Sequence, residues 1–217
     1  GYGLYVNCLV YLYLKLKGKR EKASVLKGLI NDRLSIEGKP YYTLYAYKDV
    51  YKNERFDLLG NSLAIISGVA ERKRAVEIVH WVEEKSAELV KSDQLSGNLP
   101  PVLFPYIEPG DEDWQPRYRK FNLPGDYHNG GIWPFTVSLY LVGLVKIGLE
   151  EKAEALLTAL TRLIEVPKDQ SLEYGFNEWY KAQTLEPMGQ DWQTWSAATY
   201  IYAVECIKRG RVVFLER

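Results

Sequence analysis

The sequence predicts an all-α fold: a partial toroid of antiparallel helix hairpins whose long connections gather at one end. Three observations predict it. Segments that are apolar on every side alternate with segments carrying one apolar stripe at helical spacing. The turns inside each such pair are short. The connections between pairs are long and rich in aromatic and polar residues, the kind of segment in which a rigid scaffold carries its function.

Residues 4–16, LYVNCLVYLYLKL, are apolar nearly all round and read as a buried helix. A basic turn, Lys17 to Arg20, leads into residues 23–34, where Val25, Leu26, Leu29, Ile30 and Leu34 form one stripe. In the connection that follows, YYTLYAY at 41–47 has the composition of a strand and predicts a small β-hairpin. Residues 58–69, LLGNSLAIISGV, repeat the buried type, and Ala75, Ile78, Val79 and Val82 continue as a stripe towards Leu89. The third pair is 132–147, with Pro134 suited to a first helical turn, then a stripe from Leu149 through Leu156, Leu160 and Ile164. A last apolar helix, 192–207, has no striped partner after it.

In an up-down array the long connections 35–57, 92–131 and 166–191 all emerge at one end, with buried helices as an inner ring and striped helices as an outer ring. An odd number of helices does not close such a ring, so the barrel is expected to be partial, cut at its N-terminal side, with residues 1–217 as a single domain. The alternative is a self-contained bundle. Its connections would typically be about 2–8 residues long, which counts against it.

The 28 basic and 28 acidic residues cancel, which removes any broad electrostatic reason to bind nucleic acid or an anionic membrane. Cys8 and Cys206 lie in apolar runs and read as buried free thiols, in keeping with a reducing, cytoplasmic setting. With two histidines and no CxxC there is no metal spacing, and no cofactor is expected. No apolar run reaches membrane-spanning length, and no signal peptide is visible ahead of the first helix. The 17 Tyr and 6 Trp stand out because many fall in the long connections, although core packing is their ordinary use.

The third connection sets Glu178 between Asn177 and Trp179, with Tyr174, Phe176 and Tyr180 close by. A carboxylate among aromatics suits glycoside chemistry: ring faces stack on sugars while the carboxylate activates water or attacks the anomeric carbon. Gln190 and Gln193 add hydrogen-bonding groups. A capping or ion-paired carboxylate is the competing reading of Glu178. The second connection ends in PGDYHNGGIWPF, where Gly130-Gly131 would let His128 and Asn129 pass close to a ligand and Trp133 is expected one turn into the helix. His128 could equally be a satisfied structural histidine, and Asn-Gly is a common turn. The acidic run Asp111-Glu112-Asp113 reads as a solvated face. Asp57 is either an N-cap or, like Arg55, a residue facing the same cavity as Glu178.

RFDLLGNSLAIISGVA, YHNGGIWPF, and GFNEWYKAQT followed by GQDWQTWSAATYIYA resemble, in the same order, the C-terminal part of the alkaline/neutral invertases. They are also similar to bacterial and archaeal amylo-α-1,6-glucosidase, or glycogen-debranching-like, proteins. The resemblance implies a six-hairpin (α/α)6 toroid and an inverting glycoside hydrolase acting on an α-glucoside or short oligosaccharide. It implies Glu178 as general base, and His128, Asn129, Gln193, Thr194 and Trp195 along the sugar site. Tyr174, Trp133, Trp179 and Trp195 are then expected to form its walls, with Asp57 near the substrate. The family's general acid is an Asp just ahead of the helix that GYGLYVNCL resembles, so it is expected upstream of Gly1. The chain is therefore expected to be the C-terminal portion of a larger barrel, inactive alone, whose partners are the carbohydrate and the remaining N-terminal helices. The alternatives are a non-catalytic carbohydrate-binding barrel and a helical scaffold without a pocket.

Overall fold

The computed structural model describes residues 2–48 and 50–215. In chain order the elements are β1 (Tyr2–Gly3), α1 (Leu4–Leu16), α2 (Arg20–Arg33), β2 (Tyr45–Tyr47), β3 (Tyr51–Lys52), β4 (Phe56–Asp57), α3 (Leu58–Ser67) and α4 (Arg72–Lys91). Then follow β5 (Leu103–Phe104), α5 (Tyr118–Phe121), α6 (Pro134–Lys146), α7 (Glu150–Ile164), β6 (Trp179–Tyr180), β7 (Pro187–Met188) and α8 (Thr194–Arg209).

The helices form two rows. α1, α3, α6 and α8 pack side by side in that order, each on the next. α2, α4 and α7 each lie against the inner helix that precedes them, and α7 also touches α8. This is the expected inner and outer arrangement. α3 and α6 are buried on nearly every side, as segments without a polar face must be. α4 and α7 bury single stripes built on Ala75, Ile78, Val79 and Val82, and on Ala153, Leu160, Leu163 and Ile164.

Burial of α1, α2 and α8 differs from expectation: on α2 only Ala23 and Ile30 are buried, and Val25 and Leu29 of the expected stripe are exposed. Of α1 only Leu4, Cys8 and Tyr11 are buried, and Tyr5, Val6, Leu9, Val10, Tyr13 and Leu16 are exposed. Of α8 the buried residues are Ser196, Ala203, Cys206 and Ile207, while Ile201 is exposed. Among the described residues α1 and α8 each pack on one inner-row neighbour, where α3 and α6 have two. Both cysteines are buried, and burial pushes the Cys8 thiol up to about 12.

The expected hairpin exists, but its strand covers only Tyr45–Tyr47, paired antiparallel with Tyr51–Lys52 and flanked by Tyr2–Gly3. Tyr41 and Tyr42 are core residues instead, and Asn61 of α3 holds Tyr42 by accepting from its backbone N–H at 2.9 Å. The long connections are knitted together at one end of the rows. β4 pairs with β5, joining the first to the second, and the Val102 N–H donates to the Gly131 carbonyl. Ile132 and Tyr180 exchange backbone hydrogen bonds at 2.8 Å, joining the second to the third. The three connections thus share a rim at the N-terminal ends of α3, α6 and α8. No described helix is long and apolar enough to cross a membrane.

Candidate active site

The third connection folds back as β6 and β7, and the Glu178 N–H donates to the Gln190 carbonyl at 2.9 Å. This places Glu178 over Gly189, where an added Cβ would lie 2.4 Å from Glu178 Oε2. Only glycine leaves room for the carboxylate there, and Gly189 also holds a positive φ of 71°. The residues flanking Glu178 are anchored. Asn177 is buried and donates to Asp191, and Trp179 and Tyr180 are buried. Glu178 itself is half-buried, and its carboxylate forms no hydrogen bond or ion pair among the described residues.

His128 faces it. The imidazole lies parallel to the Trp133 indole with centroids 4.9 Å apart, and 4.0 Å from the Tyr127 ring. Desolvation lowers the His128 pKa, and the nearby Glu178 charge opposes that shift. The ring is therefore held neutral more readily than a free histidine, beside a carboxylate that would favour its cation. Trp133 donates from Nε1 to the Tyr127 carbonyl at 2.9 Å, and Tyr127 meets Trp179 edge-on at 5.8 Å. From Trp133 the aromatic series runs through Phe135 to Trp195, with centroids 5.9 and 5.5 Å apart. Val102, Leu103, Trp133 and Trp179 form a small apolar cluster of their own beneath this surface.

The structure brings together Glu178, His128, Trp133, Trp179 and Trp195. Trp133 and Trp179 are floor, since Trp133 is only 2% exposed, whereas Trp195 at 49% presents an open face. Tyr174 and Trp192 are exposed further along the third connection, tied by a bond from Trp192 Nε1 to the Tyr174 carbonyl at 3.1 Å. Gln193 is the N-cap residue of α8, and its side chain makes no hydrogen bond among the described residues.

Two expected site residues have other work. Asn129 is fully buried: its Oδ1 accepts from the Ile107 N–H at 2.6 Å, and its Nδ2 donates to the carbonyls of Ile107 and Asn122. Its amide is spent on holding the loop, which corrects the expectation that it bonds sugar hydroxyls. Asp57 is the N-cap of α3, accepting from the Gly60 N–H at 2.7 Å, the first of the two readings open from the sequence. Burial pushes its carboxyl up to about 6, against the pull of the Gly60 and Leu59 N–H groups.

The two glycines of the HNGG turn also serve the protein. A Cβ on Gly130 would lie 2.2 Å from the Tyr106 ring, and one on Gly131 would lie 2.7 Å from the Tyr127 carbonyl and 3.0 Å from the Trp179 ring. The close approach is between loops. The acidic run is likewise more than a solvated face: Arg55 pairs with Asp111 at 2.7 Å and Asp113 at 3.0 Å, and donates to the Pro105 and Tyr106 carbonyls. Tyr127, Phe135 and Arg55 are the site-supporting residues that pattern reading passed over or placed elsewhere. The described residues contain no cluster of His, Cys, Asp and Glu that could hold a metal ion.

The family model for alkaline and neutral invertases matches residues 42–210, which includes most of the first connection, all of the other two and the rim they build. The chain belongs to that family. It is 29% identical over 171 residues to alkaline/neutral invertase E, chloroplastic, of Arabidopsis thaliana, a match covering 75% of this chain and 25% of that protein. It is 28% identical over 159 residues to cytosolic invertase 1 of Oryza sativa subsp. japonica, covering 69% and 25%. The chain thus spans about a quarter of the length of these curated relatives. Among solved structures it resembles the GH63 mannosylglycerate hydrolase from Thermus thermophilus in complex with glucose, with a TM-score of 0.59 and 18% identity over 95% of this chain and 45% of that one. An uncharacterized conserved protein from the same organism matches with a TM-score of 0.62, again at 18% identity, covering 95% of this chain and 44% of that one. The fold is accordingly that of an (α/α)6 glycoside hydrolase barrel, represented here by part of its helices.

Proposed function

We propose that this chain supplies the base-bearing side of an inverting glycoside hydrolase site, with Glu178 as general base. The observation that carries the reading is the state of the Glu178 carboxylate. It is unpaired among the described residues, held over a glycine, and set beside His128 on an aromatic rim. A general base must keep an oxygen free to receive a proton from water, and a capping or ion-paired carboxylate would not.

In the proposed reaction Glu178 removes a proton from a water molecule as that water attacks the anomeric carbon. A second carboxyl on the opposite face protonates the departing oxygen, at a separation of about 6.5–9.5 Å that leaves room for the water. That acid belongs to a segment outside this chain. The Trp195 face stacks on a sugar ring, and His128 and Gln193 bond to hydroxyls. The substrate class is an α-glucoside or short oligosaccharide.

The exposed apolar faces of α1 and α8 support the accompanying proposal that further helices of the toroid cover both ends of the inner row. The curated relatives bear chloroplastic, mitochondrial and cytosolic names.

The test is Glu178→Gln in a protein extended to the relatives' length. Loss of acid–base assistance predicts a fall in kcat of about 10²–10⁴-fold with folding intact. Near-normal hydrolysis would refute the assignment. Saccharide binding without turnover by the unmodified extended protein would favour a carbohydrate-binding barrel instead.

A further inference from the structure

Away from Glu178 and His128, a cleft of about 660 Å³ opens between the outer helices α4 and α7, with α6 behind it. Its walls are apolar, built on Val82, Val90 and Leu156. Two residues of its lining carry polar groups that the described residues do not satisfy. The Ser86 hydroxyl and the Tyr140 phenol are buried with no hydrogen-bond partner among the described residues. Both residues line the cleft, and they are 7% and 2% exposed. The other two buried hydroxyls without partners, those of Ser62 and Ser138, do not line it.

Buried hydroxyls are nearly always paired, because leaving one unpaired forfeits its bonds to water. Two such groups on one apolar cleft are a recognition pattern: a shaped apolar space with a few polar points. The lining excludes several ligand classes. The charged lining residues offer no buried counter-charge to a ligand, since Lys152 is ion-paired with Glu83 and Lys91 is exposed at the mouth of the cleft. A sugar would need many hydrogen-bonding partners and an open aromatic face, and the Tyr140 ring is inside the helix packing.

We propose that this cleft is a second ligand site, distinct from the glycoside rim, for a compact uncharged apolar molecule bearing one or two oxygen atoms, such as a cyclic alcohol or a phenol. The oxygen bonds to the Ser86 and Tyr140 hydroxyls, and the hydrocarbon lies along Val82, Val90 and Leu156. Both hydroxyl oxygens are shut off from bulk solvent, so the ligand reaches them by displacing the side chains above them. The site is independent of the assignment of Glu178.

The experiment is a ligand-detected NMR titration of the full chain with cyclohexanol and with methylcyclohexane, which share a size and differ by the oxygen. Saturable binding of cyclohexanol is expected, about three- to tenfold tighter than the hydrocarbon, the factor that one hydrogen bond supplies. Ser86→Ala and Tyr140→Phe should each narrow that ratio. Ala155 lines the cleft on an exposed turn of α7, so Ala155→Trp should abolish binding of both probes without touching the core. No saturable binding, equal affinity for the two probes, or binding undiminished in Ala155→Trp would each overturn the proposal.

Discussion

α3 and α1 look alike as sequences, since both are apolar on every side, yet their surroundings differ. Every residue of α3 except Leu59 is buried, whereas α1 shows water a face of six large apolar side chains. The difference is one of position in the row. Among the described residues α3 has the inner-row helices α1 and α6 on its two sides, whereas the inner-row neighbour of α1 is α3 alone. All-round apolarity therefore records how many neighbours a helix is built to have, and the exposed face of α1 marks where more structure is expected to pack.

A matched pair of truncations is the strongest way to break that comparison. Ile65→Ala in α3 is expected to lower stability by about 2–5 kcal/mol, because a buried side chain is removed and a cavity left. Val10→Ala in α1, where the side chain is exposed, should stay within about 0.5 kcal/mol in this chain. Urea denaturation of both variants checks the contrast. Equal losses would mean that α1 is already covered, for instance by self-association. In a protein extended to the relatives' length, Val10→Ala should become the costlier change it is not here.

The entry to α3 gives the next largest effect. Asp57 has a folded pKa of about 6 against an ordinary value of 3.8. A carboxyl raised on folding favours the native state while it is protonated, so its contribution is fully present below about pH 4 and lost as pH rises through 6. Asp57→Asn keeps a capping oxygen and removes the charge. It should gain on the native protein by up to about 3 kcal/mol above pH 7 and lose that advantage below pH 4. A parallel pair of stability–pH curves would contradict this.

A smaller effect is expected at the rim. Arg55 ties Asp111, Asp113 and two carbonyls of the second connection together, so Arg55→Ala should cost about 1–3 kcal/mol and raise hydrogen exchange around residues 105–113. Unchanged exchange there would show that the connection is held by its other contacts.

The helices were legible because burial imposes a period on sequence, and the pairing of buried with striped segments survives without knowledge of the fold. Glu178 and His128 stand out in the sequence by residue type and setting, and Trp195 by the family resemblance; that they act on a sugar is the proposal. Asn129 and Asp57 were not separable from ligand-binding residues, because an amide or carboxylate in a loop reads the same whether it faces a sugar or a buried N–H. The ladders β4–β5 and β6–β7 were invisible, since two-residue strands carry no periodicity. Phe135 looked like one more apolar helix residue, and only three dimensions show it bridging Trp133 to Trp195.

Rescue by azide tests the central claim most directly. In the extended protein, Glu178→Ala removes the proposed base and vacates the space of its carboxylate, so turnover of an activated α-glucoside should collapse. Azide is a nucleophile that needs no base. Adding it is expected to restore turnover and to yield the β-glucosyl azide, the inverted product. An α-linked azide, or a Glu178→Ala variant that hydrolyses the substrate at the native rate without azide, would contradict it.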